Sequence, residues 1–90
     1  MLDELFRDEW ARVLATLAGI LGDIELAEEV VQEAFVIAAE RWPRDGMPDN
    51  PTGWLVTTAR NRAIDRMRRE KTLRRKLEHL ARDIDHPPED

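Results

Sequence analysis

Three observations predict an all-α fold, a small orthogonal bundle of three to four helices. Apolar residues recur at three- and four-residue intervals almost from the first position. Glycine and proline gather at a few places that read as helix ends and one loop. No stretch alternates apolar and polar residues as a half-buried strand does.

The first helix is carried by Leu2, Leu5, Phe6, Trp10, Val13, Leu14, Leu17 and Leu21, which form one stripe at i, i+3, i+4 spacing. Gly22 is placed to end it, because glycine adopts the left-handed conformation of a helix C-terminus without strain. Asp23 is the N-cap of the second helix, with Glu25 near its positive end. That helix is expected to run to about Trp42. Leu26, Ala27, Val30, Val31, Ala34, Phe35, Ile37 and Ala38 cover one side of it. Glutamates and Gln32 cover the other side, with Val36 in their midst.

Residues 43–50, PRDGMPDN, are expected to form a loop. Asn50 followed by Pro51 reads as N-cap and first position of a third helix. Gly53 falls in its first turn, at a cost of about 1 kcal/mol relative to alanine. Leu55, Val56, Ala59, Ala63 and Met67 are its apolar arc. Beyond a basic run, Leu73, Leu77, Leu80 and Ile84 make a narrower stripe, expected as a fourth helical segment. The last residues, DIDHPPED, read as a frayed tail.

Ninety residues make one small domain, stable by a narrow margin. The absence of cysteine excludes disulfides and thiolate metal sites. No apolar run reaches the roughly 20 residues of a membrane span, and the bacterial cytoplasm is the expected location. Enzyme chemistry lacks its usual signatures: there is no HExxH, no Gly-rich phosphate loop, and no Glu-x-x-His pairing for a di-metal bundle. No cofactor or metal is expected.

Charge divides the chain. The formal net charge is -5, yet residues 51–82 hold ten basic and three acidic side chains, while residues 1–50 hold four basic and twelve acidic ones. Such asymmetry points to two surfaces with different partners, one of them a polyanion. On the third helix, Trp54, Thr57, Thr58, Asn61, Asp65 and Arg68 project opposite the apolar arc, with Arg62 and Arg69 at the edge. Arginine suits phosphate, Asn and Thr suit base edges, and an exposed Trp offers a stacking face. Two plainer readings stay open: Trp54 folds over the bundle end as core, or the basic face is merely solvated. Arg60 and Arg66 fall nearer the apolar side and are placed to snorkel. The acidic side of helix two is either a solvated face or a modest interface with Val36 at its centre.

AEEVVQEAFVIAAERW (27–42), a Pro/Gly loop, and NPTGWLVTTARNRAIDRMRR (50–69), in that order, resemble region 2 of the extracytoplasmic-function sigma factors of the sigma-70 family. The resemblance covers roughly residues 5–70. It implies a region 2 domain over 1–70, followed by a linker helix and disordered acidic tail over 71–90. It implies a promoter-recognition function: binding the β′ clamp helices of RNA polymerase core, and recognising and melting the minus-10 element on its non-template strand. The polymerase-facing segment falls on Glu28, Glu29, Gln32, Glu33 and Val36. The loop that surrounds an unstacked base falls on Arg44 to Thr52, with Arg44, Asp49 and Asn50 as its contacts. Trp54, Thr57, Thr58, Asn61, Arg62, Asp65, Arg66 and Arg69 are the expected DNA-contacting residues of the helix. An anti-sigma factor or a regulatory C-terminal extension is a candidate further partner.

Two departures from the family pattern bear on these expectations. Nothing after residue 70 resembles region 4, which reads the minus-35 element, so an isolated domain is expected. VTTA precedes Arg60 where many relatives place a bulky aromatic and an additional arginine, so the preferred minus-10 sequence does not transfer. A helical protein-interaction module, with the arginines serving solubility, is the alternative reading.

Overall fold

The computed structural model describes residues 2–85, and they form three helices: α1 (Leu2–Leu21), α2 (Ile24–Asp45) and α3 (Pro51–Asp85). The fold is all-α, with no strand among the described residues.

The junction of α1 and α2 is set by local chemistry. Gly22 takes φ 67°, and its N–H donates to the Ala18 carbonyl at 2.9 Å. Asp23 follows in extended conformation, and its side chain accepts from the Leu26 N–H at 3.1 Å. Each bond satisfies a backbone group that a helix end leaves without a partner.

α2 runs three residues past its expected end, through Pro43. Proline in a helix removes one N–H donor and crowds the carbonyl four residues back. The bond forgone is the one to the Ala39 carbonyl, and the helix continues only two residues beyond Pro43. Gly46, at φ 89°, then closes the helix by donating its N–H to the Trp42 carbonyl at 2.8 Å. The loop is therefore only residues 46–50.

The fourth segment expected after the basic run is instead the outer part of α3, one continuous helix of 35 residues. Nothing between Arg69 and Leu73 breaks a helix, since Glu70 and Lys71 favour it and Thr72 costs it less than a glycine would. At 1.5 Å per residue α3 is about 52 Å long, and the molecule extends 71 Å along its principal axis. The expected acidic tail, with His86, lies outside the described residues.

The core joins Val13 and Leu17 of α1, Ala27, Val30, Val31, Ala34 and Ala38 of α2, and Leu55, Ala59 and Ala63 of α3. Half of these ten are alanines, which lets helix backbones approach closely. Larger side chains seal the rim: Phe35 lies 5.8 Å from Phe6 and 5.3 Å from Trp10 between ring centroids, both tilted. No helix among the described residues is long and apolar enough to cross a membrane.

Candidate nucleic-acid interface

α3 starts from a rigid base. Asn50 Oδ1 accepts the Gly53 N–H at 3.0 Å, and the Asn50 carbonyl accepts the Trp54 N–H at 3.0 Å. A Cβ on Gly53 would stand 2.6 Å from Asn50 Nδ2 and 3.0 Å from its Cγ. Glycine here makes room for the cap that starts the helix, which offsets its poor helix propensity. Thr52 donates its hydroxyl to Glu9 Oε2 at 2.5 Å, tying the first turn of α3 to α1.

Trp54 belongs to this base. It is partly buried against the core, and its ring meets Trp42 edge-on, with centroids 5.3 Å apart and planes at 66°. The helical projection that sets Trp54 among exposed residues treats α3 alone. The end of α2 covers that first turn, so the core alternative describes its position.

Further along, Thr57, Asn61, Arg62, Asp65, Arg68 and Arg69 are exposed and Thr58 is half-buried. Thr57, Asn61, Asp65 and Arg68 form a polar ridge on the side away from Leu55, Ala59 and Ala63, with Thr58, Arg62 and Arg69 along its edge. Arg44, on the last turn of α2, and Asp49, in the loop, are exposed at the near end. The ridge offers guanidinium donors for phosphate, and amide and hydroxyl groups for base edges.

On α2, Glu28, Glu29, Gln32 and Val36 are exposed and Glu33 is half-buried. Val36 is 57% exposed, the apolar member of an acidic face. The two faces meet at Arg66. Its guanidinium reaches Glu29 through Nη1 and Glu33 through Nη2, bridging two carboxylates one helical turn apart. The planar fork of arginine suits such a double contact better than a lysine ammonium. An arginine expected to face DNA is thus held by two glutamates expected to face a protein partner. Sequence periodicity placed Arg66 near the apolar side but could not name the α2 residues across from it.

A cleft of about 520 Å³ opens between α1, the end of α2, the loop and the start of α3. Phe6, Phe35, Trp42, Pro43, Met47 and Leu55 line it, with Glu9 and Thr52 among the polar groups at its wall. Trp42 Nε1 is buried and has no hydrogen-bond partner among the described residues. Sequence reasoning missed this cleft, although an exposed methionine within a proline-flanked loop is a usable signal for it.

The described residues thus form a three-helix domain with an acidic face on one helix and a polar and basic ridge on the next. The Sigma-70 region 2 family profile matches residues 5–73. The chain belongs to the sigma-70 family, as a region 2 domain. It is also similar to an uncharacterized protein of Rhizobium meliloti (strain 1021), R00370, at 39% identity over 59 residues. That match takes in 66% of this chain but spans only 14% of the relative's length. No solved structure is a significant match.

Proposed function

We propose that this domain opens promoters for an alternative sigma factor of the extracytoplasmic-function type. The acidic face of α2, centred on Val36, docks on the β′ clamp helices of RNA polymerase. The ridge of α3 and the loop before it hold the non-template strand of the minus-10 element. The supporting observation is the ridge itself: six exposed polar and basic residues on a helix whose first turn is locked by a cap, a Thr–Glu bond and a Trp pair.

In this reading Arg62, Arg69 and Arg44 supply phosphate contacts, and Thr57, Thr58, Asn61 and Asp65 face bases. Asn50 and Trp54 shape the loop rather than touch the strand, and Asp49 lies at its open side. Arg66 reaches DNA only by leaving Glu29 and Glu33. Unstacking costs a few kcal/mol per base, and contacts to the extruded base and its phosphates offset it.

The test is binding to minus-10 single strands randomised one position at a time, with polymerase core present. Arg62→Ala should weaken all sequences alike and lower the salt slope by about one unit. Asn61→Ala should change the preferred base at one position, with about 1–3 kcal/mol of discrimination at stake. If base preference is unchanged by Asn61→Ala and by loop substitutions, direct reading by this surface is wrong. If duplex and single strands bind equally, strand opening is wrong as well.

A further inference from the structure

The outer part of α3 carries an apolar face that no described element covers. Leu73, Leu77, Leu80 and Ile84 are 57%, 56%, 57% and 76% exposed. Their spacing of four, three and four is the d, a, d, a pattern of a coiled-coil seam. We propose that this face pairs with a second copy of the chain, and that the two helices run antiparallel.

The flanking charges select both the partner and the direction. Lys76 and Asp83 lie along one flank of the seam, and Arg74 and Ala81 along the other; all four are exposed. An antiparallel pair that sets Leu77 against the partner's Leu80 also sets Leu73 against the partner's Ile84. In that register Lys76 faces the partner's Asp83, and the symmetric contact forms on the second copy. Arg74 faces the partner's Ala81. A parallel pair would instead bring Arg74 against the partner's Arg69 and leave Asp83 without a cation. Within one chain Lys76 and Asp83 stand about 10.5 Å apart along the helix, beyond ion-pair reach, so their complementarity serves only a partner.

The rest of the molecule permits this pairing. In the same register the Ala63 positions of the two copies lie about 46 Å apart along the axis. The bundles sit at opposite ends, and both ridges stay open. Two heptads are fewer than the three to four that sustain an autonomous coiled coil. The dimer is therefore weak and reversible.

The sequence contains no cysteine, so single-cysteine variants report the geometry directly. Leu73→Cys and Ile84→Cys, mixed under mild oxidation, should give mainly the mixed disulfide, and little homodimer when oxidised separately. Homodisulfides from each variant alone would establish a parallel pair and overturn the proposal. By sedimentation, Lys76→Asp and Asp83→Lys should each weaken self-association by about tenfold. The double variant Lys76→Asp/Asp83→Lys should restore it, whereas a loss of helix structure would not be restored. A chain that stays monomeric at its highest soluble concentration, or a double swap that rescues nothing, would remove the second copy as occupant. Protection of the Leu73–Ile84 amides in such a monomer would assign the face to another partner.

Discussion

Arg66 allows the sharpest quantitative prediction. Its side chain is 32% exposed, and its partners are unequal: Glu33 is 34% exposed and Glu29 is 60% exposed. Exposed ion pairs contribute about 0.2–1 kcal/mol each, and the Glu33 contact, better shielded from water, should lie near the top of that range. With the packing of the arginine stem, Arg66→Ala should cost about 1–2 kcal/mol. For a domain of this size each kcal/mol lowers the melting temperature by about 4–8 °C. The direct measure is a double-mutant cycle of Arg66→Ala with Glu33→Ala by chemical denaturation. A coupling of about 0.5–1 kcal/mol is expected, smaller for Glu29 and diminished at high salt. A coupling near zero for both glutamates would mean that the bridge contributes nothing and that the two faces are independent. The DNA side has its own arm: Glu29→Gln with Glu33→Gln removes two negative charges and frees Arg66. Affinity for minus-10 single strands should rise, and adding Arg66→Ala should reverse part of the gain. If the reversal is absent, Arg66 does not reach DNA.

Other outcomes follow from the same geometry. Trp54→Ala should cost about 2–4 kcal/mol, somewhat less than a fully buried tryptophan, read as a fall in unfolding midpoint; an unchanged midpoint would return Trp54 to the exposed ridge. Asn50→Ala should cost about 1 kcal/mol, and Gly53→Ala should destabilise despite alanine's better helix propensity. Because both act on one cap, the double variant should cost no more than Asn50→Ala alone, and full additivity would deny the steric link. Val36→Asp should weaken clamp-helix binding by about tenfold, the loss of one apolar anchor, without shifting the melting temperature. Glu33→Lys should lower both, because it also breaks the Arg66 bridge.

What could be read from sequence was mostly what is decided within a few residues. Gly22, Asp23 and the Asn50–Pro51 start act through bonds to neighbours three or four positions away, and the structure has them where residue type places them. The apolar periodicity of α1 and α2 likewise marks the core face. Pro43 misled because proline costs a helix one bond to the turn before it without forbidding the next residues a helical conformation, and α2 continues to Asp45 before the Gly46 cap ends it. The separate fourth segment was inferred from a change of composition, but composition alone does not end a helix. Trp54 and Arg66 could not be placed because each is defined by a residue on another helix. The exposed polar residues of α3 were legible as types, and which of its side chains another helix holds was not.

The alanines of the core have a mechanical consequence. Ala27, Ala34, Ala38, Ala59 and Ala63 have no side-chain rotamers, so where they join α2 to α3 the interior has fewer side chains that can absorb a displacement by changing rotamer. A push on the acidic helix would be passed to the basic one as rigid-body motion, much as a bearing without play transmits load. Adding a methyl group at any of these positions would change the spacing of the two helices before it changed their exposed surfaces.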